Sequence, residues 1–189
     1  LELNECYVGL RYDSCFTHVP FQEIVENIEK VRAVIGGITG NLLIKEYPTK
    51  SVGVATLLAH ANLARTMGYG IDMVIVDYAD ILAPARVGAN SNTYVEQGSI
   101  YEDLRGLAGE LGVPVWTASQ ASRSSLDDNI IEAQKVADSY RKIMTADFVM
   151  SLSRKAADKV SNTGRFHVIK NRFGPDGMTF PSRVDTSAG

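Results

Sequence analysis

The sequence predicts an α/β fold: a mostly parallel sheet flanked by helices, followed by a C-terminal antiparallel β extension. Three observations lead there. Met73-Val74-Ile75-Val76 is a continuous apolar run ending on Asp77, as in a parallel strand covered on both faces. Val113-Pro114-Val115-Trp116-Thr117-Ala118 is a second strand-like run, and helical periodicity surrounds both. Beyond residue 148 the pattern changes to short strands divided by Asn162-Thr163-Gly164 and Gly174-Pro175-Asp176-Gly177, which read as antiparallel hairpins. Helix–strand alternation ending in a β-meander is an α/β arrangement.

Taken in order, Asn4 caps a helix carrying Tyr7, Val8 and Leu10. Residues 21–35 form the clearest helix: Pro20 suits its entry, and Phe21, Ile24, Val25, Ile28, Val31 and Ile35 share one face. Gly36-Gly37 ends it. Leu42-Leu43-Ile44 reads as a short buried strand closed by Tyr47-Pro48, and residues 54–67 as a helix stopped by Gly68. Residues 83–98, small and polar, form a long loop. Ser99 and Glu102 make a capping box for a helix with Leu104, Leu107 and Leu111; a start near Thr93, with Gly98 inside the helix, fits equally. From 121 to 138 the chain is polar and aperiodic.

The bulk properties are those of a single globular domain. The 189 residues are 45% apolar and 22% charged, with a net charge of −3, so the whole chain carries no nucleic-acid signature. No run approaches the roughly 20 apolar residues that cross a bilayer, and no signal peptide is evident. Cys6 and Cys15 match no metal spacing and are too few for a disulfide framework, which points to a reduced, cytoplasmic setting. His18, His60 and His167 have no ligand spacing, and no nucleophile elbow occurs.

A few residues stand where chemistry is done. Asp77 ends a buried strand, the place where open α/β sheets bind ligands and where nucleotide hydrolases hold magnesium; an aspartate here also serves as a turn cap. Gln120 ends the neighbouring strand, where an amide reaches a terminal phosphate, although glutamines after strands are common surface residues. Glu2 ends an apolar start and suits the orienting of a water; alone it is a terminal charge. Lys170 and Arg172 lie two residues apart before the Gly-Pro-Asp-Gly turn, suited either to a solvated hairpin edge or to another subunit's phosphates. Arg123, Lys135, Arg141 and Lys142 are cations in the polar stretch that suit a phosphate backbone, interleaved with Asp127, Asp128, Glu132 and Asp138. No G-x-x-x-x-G-K-[ST] phosphate loop occurs anywhere in the chain.

Together these residues resemble one family. Leu1-Glu2-Leu3, Val74-Ile75-Val76-Asp77-Tyr78, Leu104-Arg105-Gly106-Leu107-Ala108 through Ser119-Gln120, and Lys170-Asn171-Arg172-Phe173-Gly174-Pro175 follow the order seen in DnaB-type replicative helicases. Ile44-Lys45-Glu46-Tyr47-Pro48-Thr49 and Thr145-Ala146-Asp147-Phe148 bring it nearest the phage branch. The resemblance implies a RecA-like P-loop ATPase core in an ATP-dependent, homohexameric helicase that uses Mg²⁺ and moves on single-stranded DNA, with primase and a helicase loader as partners, in a bacterial host's cytoplasm. Glu2 is then the water-polarising glutamate, Asp77 the Walker B aspartate acting on Mg²⁺ through water, and Gln120 the phosphate sensor. Lys170 and Arg172 form the pair inserted into a neighbour's site. Residues 83–98 and 135–142 line the ring's channel, with Arg123, Lys135, Arg141 and Lys142 along the DNA.

The resemblance also implies that the Walker A strand, loop and helix precede Leu1, so residues 1–189 form one incomplete domain whose sheet lacks a central strand. Another RecA-type ATPase, a recombinase or a ring ATPase, shares the positions of Asp77 and Gln120. A non-catalytic scaffold that shed its P-loop keeps the fold alone. The 189 residues by themselves are expected to bind no ATP, since the lysine and backbone amides that cradle phosphates are missing. Titration calorimetry checks this, and specific micromolar binding would contradict it.

Overall fold

A computed structural model of the protein describes residues 4–85, 93–121, 130 and 140–186. The first helix, α1 (Glu5–Thr17), starts where the Asn4 side chain accepts a hydrogen bond from the Cys6 amide at 2.8 Å, satisfying a donor the helix cannot. The continuous helix expected over 21–35 is interrupted. A single 3-10 turn, Phe21–Glu23, is followed by turns, and α2 spans only Ile28–Gly36. Asn27 explains the break: its amide and its side chain both donate to the Glu23 carbonyl, at 3.0 and 2.9 Å. Such local side-chain bonding competes with helix propagation. The buried face shrinks accordingly. Ile24 and Val31 pack with Val19, whereas Val25, expected on that face, is exposed.

The strand expected at Leu42-Leu43-Ile44 is not formed. Both leucines are about half exposed, at 51% and 54%, and no described strand lies alongside to complete a ladder. Helix α3 (Val54–Thr66) forms as expected and hands over to Gly68 at φ 90°, a conformation that costs glycine little. Its entry depends on another glycine. The backbone runs 50–52 and 81–83 lie together, with Lys50 N–H donating to the Ile81 carbonyl at 2.8 Å and Ala83 N–H to the Val52 carbonyl at 2.9 Å. A Cβ on Gly53 would stand 2.9 Å from the Ala83 carbonyl oxygen.

Strands β1 (Val74–Val76) and β2 (Val115–Thr117) pair in parallel, with Val74 beside Val115, Ile75 beside Trp116 and Val76 beside Thr117. Between them, α4 (Thr93–Leu111) begins early and contains Gly98, so the later start does not hold. The Ser99 hydroxyl turns back onto the Glu96 carbonyl at 2.8 Å instead of capping. Leu104, Leu107 and Leu111 of α4 bury against Val76, Ala79 and Leu82, and α3 flanks this core with Leu57, Leu58 and Ala61. Coverage of β1 on both faces does not hold either: Val76 is buried, but Ile75 is 57% exposed.

After the short helix α5 (Tyr140–Thr145) comes the antiparallel sheet of β3 (Phe148–Ser153), β4 (Thr163–Asn171) and β5 (Thr179–Arg183), in that order. The register shifts between Val149 and Met150, leaving Ile169 as an extra residue in β4. A one-and-a-half-turn helix, α6 (Ala156–Val160), joins β3 to β4; its Asp158 accepts from the Lys155 amide at 2.7 Å and from Arg165 at 2.6 Å. Trp116 of β2 meets the edge of Phe148 of β3, with ring centroids 6.1 Å apart, so an aromatic pair bridges the two sheets.

Gly53→Ala is expected to lower stability by about 1–3 kcal/mol, because the obstacle is backbone and cannot rotate away. Gly36→Ala, with open space around the added methyl, should be neutral or stabilising. Denaturant unfolding of both variants checks the contrast; equal midpoints would contradict it.

Candidate functional site

Parallel pairing sets the site. Because Val76 lies beside Thr117, the residues that follow, Asp77-Tyr78 and Ala118-Ser119-Gln120, emerge at the same edge. The two strand ends are stitched together there. Thr117 Oγ1 donates to the Val76 carbonyl and accepts from the Ala79 amide, both at 2.9 Å. The Gln120 amide nitrogen donates to the Tyr78 hydroxyl at 3.3 Å. Asp77 and Gln120 are both exposed at this edge.

Beneath that edge lies a polar network. Lys142 on α5 has a side chain only 2% exposed, and its ammonium donates to Asp80 Oδ1 at 2.7 Å and to the Ser119 hydroxyl at 3.2 Å. Ser119 donates to the other Asp80 oxygen at 3.0 Å, and the Tyr101 hydroxyl of α4 donates to Oδ1 at 3.0 Å. The ammonium also lies 5.4 Å from the centre of the Tyr101 ring. Burial raises the Tyr101 phenol well above the usual tyrosine range, and the Asp80 charge adds to this. The expectation that Lys142 follows DNA is therefore corrected: its charge is neutralised inside the domain. Arg141, its neighbour, is half exposed and pairs with Glu102 at 3.1 Å, its stem lying against Gly98.

A second cluster surrounds Asp147, between α5 and β3. Arg105 of α4 reaches Asp147 Oδ1 at 3.0 Å and the Thr145 carbonyl at 2.5 Å. Arg172 pairs with the same carboxylate through its guanidinium, and its amide donates to the Asp147 carbonyl at 2.9 Å. Lys170 departs from the expected outward-reaching role. Its three donors meet the carbonyls of Ile143, Met144 and Ala146 at 2.9, 2.8 and 2.7 Å, closing the C-terminal end of α5. Partial burial depresses the Lys170 pKa, with the Arg172 charge contributing and the Asp147 carboxylate opposing. Arg172 remains at the surface, 43% exposed.

Glu2, Arg123 and Lys135 lie outside the described residues, as do residues 86–92 and 135–139 of the expected channel loops, while residues 93–98, expected as loop, are the start of α4. Sequence reading missed Asp80, Tyr101, Arg105 and Asp147. The first sits three residues after Asp77, the only local hint; the others depend on contacts across 17 to 42 positions, invisible to any local pattern.

Metal chemistry at this edge is limited by the donors present. Among the described residues, no group of three or more His, Cys, Asp or Glu side chains converges on a point. Asp77 alone fits an ion held chiefly by water and by a ligand's phosphates, the usual habit of Mg²⁺, and does not fit a protein-only cage.

The family model for the DnaB-like helicase C terminal domain matches residues 19–181. A DnaB-like replicative helicase of Enterobacteria phage T4 is 28% identical over 159 residues, covering 83% of this chain and 33% of the phage protein. The replicative DNA helicase DnaB of Rhodothermus marinus is 37% identical over 76 residues, 40% of this chain and 8% of that protein. The chain thus spans about a third or less of these relatives' lengths. Among solved structures, the ATPase domain of G40P superposes with a TM-score of 0.83 at 22% identity, covering 99% of this chain and 70% of that one. A DnaB-like replicative helicase described with its primase interactions superposes equally, at 0.83 and 22%, over 99% of this chain and 47% of its own.

Lys170→Met is expected to destabilise the protein by about 1–3 kcal/mol, since three carbonyls lose a charged donor. Chemical denaturation measures it; an unchanged midpoint would show that water replaces the ammonium without loss.

Proposed function

The chain belongs to the DnaB-like helicase C-terminal domain family, and from that premise we propose that it is the motor portion of a replicative DNA helicase, an ATPase that works as a homohexameric ring on single-stranded DNA. The observation that carries the reading is the shared edge at which parallel β1 and β2 present Asp77 and Gln120, with Arg172 held at the surface by Asp147. When ATP and Mg²⁺ are bound in the complete protein, the ion neutralises phosphate charge. Asp77 orients the ion's water shell, Gln120 contacts the terminal phosphate, and Glu2 orients the attacking water.

Arg172 acts on a neighbouring subunit in this reading. Its guanidinium exchanges the Asp147 carboxylate for a phosphate across the interface, where such a group is worth on the order of 10³–10⁵ in rate. Lysine at position 172 does not substitute, because the planar fork is lost while the charge remains. Arg123, Lys135 and Arg141 are the proposed contacts to the DNA backbone, and primase and a loader the proposed protein partners. Lys142 is not among the DNA contacts, for the reason of burial given above.

The complete protein provides the test. Asp77→Asn rings and Arg172→Ala rings should each lose ATP hydrolysis by at least about 10²-fold. Mixed rings should regain part of it, because some interfaces join an intact Asp77 to an intact Arg172. Inactivity at every mixing ratio, in rings verified as assembled, would contradict action in trans.

A further inference from the structure

The buried ammonium of Lys142 does more than neutralise a carboxylate. We propose that Lys142 is a positioning residue: with Asp80 and Ser119 it locks α5 to the end of β2, so that a shift of α5 is transmitted to Gln120. The inference rests on the helicase reading and names the joint through which DNA engagement alters hydrolysis.

The geometry supplies three arguments. First, one ammonium spans three elements. It reaches Asp80, in the 3-10 turn after β1, and Ser119, at the end of β2, from a position on α5. Ser119 immediately precedes Gln120, so holding the Ser119 hydroxyl from both Lys142 and Asp80 leaves the sensor little freedom to move independently. Second, the Lys142–Asp80 pair is largely withdrawn from water, with the Ser119 hydroxyl joining it from the surface. A side chain 2% exposed, against a carboxylate 13% exposed, exchanges partners only at a large desolvation cost, so the three elements move together or the pair breaks. Third, α5 is the first described helix after the polar stretch 121–138. Adjoining it, Arg141 sits at the surface one residue before the lock, and Lys170 and Arg105 fix the other end of α5. A displacement of Arg141 by a bound phosphate backbone therefore has a rigid path to Gln120.

A fold-stabilising ion pair would show none of this coupling, which makes the two roles separable in the complete helicase. The readout is the ratio of the ATPase rate with saturating oligodeoxythymidylate to the rate without it, a quantity unaffected by the fraction of rings that are folded. Ser119→Ala removes the tie to β2 while leaving the Lys142–Asp80 pair, and should lower the ratio about threefold or more. The paired variant Asp80→Asn with Lys142→Met leaves no orphaned charge and should bring the ratio close to one, with rings still assembled. Asp158→Asn with Arg165→Met, a comparable ion pair between α6 and β4, should leave the ratio unchanged. A ratio that Ser119→Ala leaves at the unsubstituted value, or that falls equally in the Asp158/Arg165 control, would overturn the proposal. Unsubstituted rings that hydrolyse no ATP would instead overturn the helicase reading, and this inference with it.

Discussion

A charge taken out of water must find its partner inside the protein, and the ammonium of Lys142 imposes that condition on four elements at once. Asp80, Ser119 and Tyr101 come from the turn after β1, the end of β2 and the middle of α4; the latter two meet on the Asp80 carboxylate, and Lys142 joins them from α5. Removing one member of such a pair costs several kcal/mol, on the order of 3–5, whereas the assembled pair adds little net stability. The network ties the segments that follow β1 and β2 to each other and to α5.

From α5 the constraint passes outward. Lys170 closes the helix's last carbonyls, and Asp147, next along the chain, gathers Arg105 and Arg172. The antiparallel sheet is thereby held to the parallel one by polar contacts as well as by the Trp116–Phe148 edge contact. Arg172 is held on a carboxylate at the surface, and Lys170 is turned onto the carbonyls that end α5. The two cations of one motif thus have different partners, a distinction that spacing alone does not make.

What the sequence reveals and what it hides divides along contact range. The Asn4 cap, α3, the two parallel runs and the hairpins around Gly174-Pro175-Asp176-Gly177 all rest on neighbours within a few residues, and each is found in the structure. The order of its motifs also identifies the family. The errors have one kind of cause. Asn27 outcompetes a helix whose apolar period is sound, and Leu42-Leu43-Ile44 has strand composition but no described partner strand. Ser99 bonds backwards to Glu96 in a helix that had already begun. Lys142 looked like a loop cation because its neighbours are polar; its partner is 62 positions away. The places of Asp77 and Gln120 at two neighbouring strand ends are legible in the apolar runs before them, whereas the residues packed around them are not.

The central claim is that the edge formed by Asp77 and Gln120 holds a magnesium-bound nucleotide completed by a neighbour's arginine. A structure of the complete ring with a non-hydrolysable ATP analogue and Mg²⁺ tests it most directly. The expected result is the ion's water shell within hydrogen-bonding reach of Asp77, the terminal phosphate against Gln120, and Arg172 of the adjacent subunit turned away from Asp147 towards that phosphate. An analogue bound away from this edge, or Arg172 still on Asp147 at every occupied site, would contradict it.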